Sequence, residues 1–123
     1  MLKDGKAFSG YSVDHVGAAK DFHGSTLGLD VTEEPAGLRL NLATGGAVFL
    51  YPKDNHEPAT FTVLNFPVEN IEGTVDSLTE KSVGFERYDG VDQDERGIAD
   101  TDPGPRIAWF KDPAGNILSV LQA

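Results

Sequence analysis

Cysteine is absent from the 123 residues, which excludes disulfides, thiolate zinc sites and a cysteine nucleophile. Long apolar runs are missing too. The start, "MLKDGKAFSG", lacks the apolar core of roughly seven or more residues that a secretory signal needs, and no later segment is long and apolar enough to span a bilayer. The expectation is a soluble, cytoplasmic chain. Basic residues are scarce, with ten Lys and Arg against twenty Asp and Glu, a net charge of −10. Such a surface repels nucleic acid and anionic membranes, so neither is expected as a partner.

The acidic excess is uneven. Residues 86–102, "ERYDGVDQDERGIADTD", carry seven acids and two basic residues, a local net of −5. The plain reading is a solvated loop. The sharper one is a rim, including Asp92, Asp94 and Glu95, that attracts a cationic ligand.

What is present is a plan used twice. Lys6 to Val13 alternates as a strand. "DHVGAAKDFHGSTLGL" follows with Val16, Ala19, Phe22 and Leu27 at near-helical spacing, ending at Gly28. "LDVTEE", "GLRLNLA" and "GAVFLYP" read as three strands separated by "PAG" and "TGG" turns. The second half repeats the order. "ATFTVLNFPV" is strand-like, Asn70 is placed to cap a helix carrying Ile71, Val75 and Leu78, and "GFERYDG", "RIAWFKD" and "NILSVLQ" supply three more strands. "VDHV" (from Val13) aligns with "VENI" (from Val68) at an offset of 55, and "TGGAVFLYP" aligns with "PAGNILSVL" at an offset of 69. The difference is absorbed by the acidic segment, read as an insertion after "GFERYDG". An internal β-α-β-β-β repeat in an α+β chain is the strongest organisational signal. Module one covers about 6–54 and module two about 59–123. The joint "PKDNHEPA" is too short for a free linker, so the two are expected to pack as one domain.

No catalytic constellation emerges. His15 lies at a helix start, His23 on that helix and His56 in the joint, without the H-E-x-x-H spacing of a metal-binding helix. No G-x-S-x-G elbow surrounds Ser9, Ser12 or Ser119, and the "ATGG" glycines lack a phosphate-binding lysine.

The segments "VDHVGAAKDFHGSTLGLDV", "PVENIEGTVDSLTEKSVGF" and "WFKDPAGNILSVLQ" resemble the vicinal oxygen chelate superfamily, the glyoxalase, bleomycin-resistance and extradiol-dioxygenase group. The resemblance implies two β-α-β-β-β modules, each a curled mixed sheet around a cavity. In the metalloenzymes of that group a divalent ion is held by side chains of the first and last strand of the modules. Carried over by position, those places fall on Phe8, Leu50, Val63 and Ser119. Ser119 stands where the group's glutamate would be. None of the four is a competent ligand for a hard or borderline cation. A one-residue slip of the alignment brings in Ser9, Tyr51, Leu64 and Val120, which still offer no ligand set.

The resemblance therefore implies a small-molecule-binding protein without metal or other cofactor. It would be a homodimer akin to the bleomycin-resistance branch, sequestering a cationic or aromatic compound. Tyr11, Tyr51, Tyr88, Trp109 and Phe110 are the aromatic candidates for the cavity, with ordinary core packing as the alternative for each. The competing reading is a divergent lyase or dioxygenase-like enzyme of the same group.

Overall fold

The computed structural model describes all of residues 1–123. The chain divides into two compact units, Met1–Glu57 and Pro58–Ala123. In the first, β1 (Ser9–Val13) leads into α1 (Val16–Lys20), a π-helical stretch (Asp21–Thr26), and then β2 (Asp30–Glu34), β3 (Gly37–Asn41) and β4 (Ala47–Pro52). The sheet order is β1-β4-β3-β2. First and last strands are thus neighbours and run parallel, whereas β2, β3 and β4 pair antiparallel through tight turns. A parallel pair cannot be closed by a hairpin and needs a crossover, which the helix and the β2–β3 hairpin provide.

The helix start follows from its cap. His15 keeps extended backbone angles, and its Nδ1 accepts the N–H of Ala18, satisfying a donor that the first turn leaves over. The helical run is regular only as far as Lys20. From Asp21 it widens into π geometry and stops at Gly28, whose φ of +73° suits glycine. His23 explains why this widened turn stays attached. It is fully buried, its Nδ1–H donates to Ala19 O at 2.7 Å, and its Nε2 accepts the Tyr11 hydroxyl of β1 at 2.8 Å.

The second unit repeats the plan with β5 (Thr62–Pro67), α2 (Ile71–Glu80), β6 (Ala99–Asp100), β7 (Arg106–Lys111) and β8 (Ile117–Gln122), in the order β5-β8-β7-β6. Asn70 caps α2 as its sequence position predicts, its Oδ1 accepting the N–H of Gly73. Gln122 Oε1, from the end of β8, accepts the N–H of Ile71. Two of the helix's orphan donors are thereby used, each cap being worth about 1 kcal/mol.

One predicted strand is corrected. "GFERYDG" makes only an isolated bridge, Phe85 to Phe110, with Glu86 N–H donating to Trp109 O. The chain then leaves the edge of β7 and returns to it at Ala99–Asp100, which pairs with Ile107 and Arg106. The reason is local. Gln93 turns inward, donating to Glu86 O and Gly97 O and accepting from Tyr88 N–H, so a side chain takes the backbone partners a continuous strand would have used. The acidic segment is thus a loop-out within the second strand position of this module. No helix of the chain is long and apolar enough to cross a membrane.

Gly37 opens β3 where a side chain has no room: an added Cβ would lie 2.1 Å from Leu50 O on the neighbouring strand. Gly37→Ala must part β3 from β4. It is expected to cost about 1–3 kcal/mol, read as a lower urea midpoint. An unchanged midpoint would mean the strands separate freely there.

Candidate functional site

Strand pairing assigns each side chain to a face. In the first sheet, Tyr11 pairs with Leu50, Leu38 with Leu50 and Leu40 with Val48, and all five are buried. Tyr11 reaches His23, so this is the face beneath the helical segment. The opposite face carries Gly10 and Ser12 of β1, Arg39 and Asn41 of β3, and Phe49 and Tyr51 of β4. Phe49 and Tyr51 lie stacked, centroids 6.2 Å apart. Phe8, just before β1, is 69% exposed. It borders a concavity of ≈ 520 Å³ together with Lys6, Glu34, Arg39, Ala47 and Phe49.

In the second sheet, Arg106 forks onto Glu72 of α2 and Gln122 caps the same helix, so their face, with Ala108, Phe110, Leu118 and Val120, is the one under α2. The other face carries Ser119 paired with Trp109 on one side and Asn65 on the other. Ser119 is fully buried, and its Oγ donates to Asn65 Oδ1 at 2.5 Å. Nearby, Thr60, Phe61, Thr62, Tyr88, Trp109 and Ile117 line a smaller pocket of ≈ 220 Å³. Tyr88 meets Trp109 edge-on, and its buried hydroxyl has no hydrogen-bond partner. Burial, then the charge of Glu86, pushes that phenol above its ordinary range.

The sequence-predicted site residues are therefore divided. Phe8 and Tyr51 share the helix-free face of module one, and Ser119 and Trp109 share that of module two. Tyr11, Leu50 and Phe110 lie on the helix-covered faces and pack there. Val63 sits half-buried in the irregularity between Thr62 and Leu64, where β5 shifts register on β8.

Leu50 is a correction with a clear cause. The helix caps, His15 and Asn70, fix the offset between first strands at 55, which equates Gly10 with Asn65. Gly10 pairs with Phe49, and Asn65 with Ser119. The counterpart of Ser119 is thus Phe49, at an offset of 70 instead of 69, and a shift of one residue moves a position to the other face. Phe49 and Asn65 are the residues that sequence reading missed. The period-2 alternation of "AVFLYP" could have found Phe49, whereas Asn65 becomes visible only through its pairing with Ser119.

The corrected first- and last-strand positions are Phe8, Phe49, Val63 and Ser119. Two aromatic rings, an aliphatic chain and a hydroxyl already engaged with Asn65 do not fit a divalent ion. Nor does the chain assemble three or more His, Asp or Glu side chains elsewhere in a way that could hold one. The histidines are engaged otherwise: His15 caps α1, His23 is buried against Tyr11, and His56 Nδ1 lies 2.6 Å from Ser12 Oγ.

The acidic loop is ordered by its own charges. Asp94 Oδ1 accepts the N–H groups of Arg96 and Ile98, and the Arg96 guanidinium forks onto Asp76 of α2. Hydrogen bonding to Arg96 holds the Asp76 carboxyl below its ordinary value of 3.8, and Arg106 likewise lowers Glu72. A carboxyl whose pKa is lowered on folding supports the fold above its unfolded value and loses that support as pH falls through the lowered one. Asp76→Asn is expected to release the loop at neutral pH, raising tryptic cleavage after Arg96 severalfold. Acid should release it in the unaltered protein only below pH 3.8, read with pepsin. Equal cleavage in both proteins would show that the ion pair does not pin the loop.

The sequence matches no protein-family model and no curated protein. Solved structures do match over the full length. An antibiotic-binding protein, TnmS3 from Streptomyces sp. CB03234, is 22% identical with a TM-score of 0.69, covering 99% of this chain and 98% of that one. A member of the glyoxalase/bleomycin resistance protein/dioxygenase superfamily from Sphaerobacter thermophilus is 20% identical with a TM-score of 0.72, covering both chains completely. The fosfomycin resistance protein FosX from Listeria monocytogenes is 10% identical with a TM-score of 0.70, covering 98% and 93%. The paired β-α-β-β-β modules and these similarities together establish that the chain has the glyoxalase/bleomycin-resistance fold.

Proposed function

We propose that this protein binds a small molecule without a metal ion, holding it on the helix-free face of its module-one sheet. The observation that carries the reading is the replacement of ligand chemistry by ring chemistry. Where a metalloenzyme of this fold would need carboxylate or imidazole donors, module one presents Phe8 and Phe49, the latter stacked on Tyr51. Aromatic side chains bury large area at little rotamer cost and accept flat ligands against their faces. A concavity of ≈ 520 Å³ falls within the range of roughly 300–1,000 Å³ usual for small-molecule sites. One solved structure of the same fold is an antibiotic-binding protein, which accords with a binding role. In this reading the protein is a cytoplasmic homodimer. The lyase or dioxygenase-like alternative would need a donor set that Phe8, Phe49, Val63 and Ser119 do not supply.

Elemental analysis of dialysed protein is expected to find far less than one divalent ion per chain. Zinc, nickel, manganese and iron(II) should leave the melting temperature unmoved. One chelator-removable ion per chain would overturn the reading.

Sedimentation at low micromolar concentration is expected to give twice the chain mass. A single-chain mass there would rule out the homodimer.

A further inference from the structure

Building on the small-molecule reading of the module-one face, we propose that its ligand is an anion: a planar aromatic carboxylate, its ring against Phe8 and Phe49 and its carboxylate on Arg39. The local charge runs opposite to that of the chain. The protein carries −10 overall, yet this concavity is bordered by two cations, Lys6 and Arg39, and one acid, Glu34. Arg39 is oriented before any ligand arrives, because its Nε donates to Glu34 Oε1 at 2.5 Å. Its two Nη groups make no hydrogen bond within the protein. They form the outward edge of a planar fork whose spacing matches the two oxygens of a carboxylate. Lys6 has no ion pair and leaves the positive charge of the site uncompensated.

Position supplies the second half. Arg39 and Phe49 are directly paired across β3 and β4, so their side chains rise from the same face as close neighbours. A flat ring resting on Phe49 would present a substituent at its edge to the guanidinium. Phe8, 69% exposed, borders the same concavity and supplies apolar surface beside it. A cation would instead meet Lys6 and Arg39 with only Glu34 in its favour, and Glu34 is already engaged. The surplus negative charge elsewhere is screened over roughly 8 Å at physiological salt, so the nearby guanidinium governs.

The test is calorimetry with three probes that share one ring system: naphthalene-2-carboxylate, its isostere naphthalene-2-carboxamide, and 2-naphthylmethylammonium. The carboxylate is expected to bind about tenfold tighter than the amide, as one charge-assisted pair in a half-exposed site would give. The ammonium should bind weakest. Arg39→Gln should erase the carboxylate's advantage while leaving the amide's affinity and the melting temperature unchanged. Glu34→Gln keeps an acceptor for Arg39 Nε but removes the competing charge, and should widen the advantage severalfold. Phe8→Ala should weaken carboxylate and amide alike. If carboxylate and amide bind equally and both respond to Phe8→Ala, the anion inference fails while the small-molecule reading stands. The same division follows if the ammonium binds tightest. If none of the probes binds, or if Phe8→Ala changes the sedimenting mass and no affinity, both fail, and the aromatic face is a contact between chains.

Discussion

Each module rests on the parallel pairing of its first and last strands. β1 on β4 and β5 on β8 can be joined only by carrying the chain over one face of the sheet, and the helix travels on that face. The helix fixes which side chains become core. Tyr11, Val13, Leu38, Leu40, Val48 and Leu50 are buried in the first module, as are Ala108, Phe110, Leu118 and Val120 in the second. Every residue between them in sequence is sent to the other face by the strand period. The chemistry of the candidate site is therefore what remains after the core is chosen: Phe8, Arg39, Phe49 and Tyr51 in one module, Asn65, Trp109 and Ser119 in the other.

The modules spend their polar groups differently. Module one buries a histidine, and it anchors the widened end of the helical segment to β1 through Tyr11. Module two has a regular helix of ten residues with capping on Asn70 and Gln122. Its irregularity lies in the loop from Glu86 to Ile98, held by Gln93, Asp94 and Arg96. Charge here is mainly architectural: Arg96 with Asp76 and Arg106 with Glu72 tie loop and sheet edge to α2. Such half-exposed pairs add little to stability, but they select one arrangement for a loop with little apolar content.

The repeat, the two helix starts, the β-hairpin turns and the final strand were legible in the sequence. They rest on local rules: Asn70 has a backbone donor within three residues to accept, glycines allow turns with positive φ, and alternation marks "NILSVLQ". The strand drawn over "GFERYDG" was not realised, because Gln93, several residues further on, captures its backbone groups. Leu50 was assigned to the wrong face because two aligned strings can be shifted by one residue without any visible penalty in composition.

By itself, the sequence determined that the chain has no cysteine chemistry, carries a large negative charge, repeats one β-α-β-β-β plan and offers no carboxylate or imidazole at the end of its last strand. Those properties belong to residue identity and local periodicity, which need no partner from elsewhere in the chain. Only the tertiary structure decided that Phe49, and not Leu50, answers Ser119, that Asn65 meets Ser119, and that Arg39 stands beside Phe49 with its Nη groups free. Each of these depends on strand register. Register is set by pairing between distant segments, and a slip of one residue exchanges the two faces of a strand.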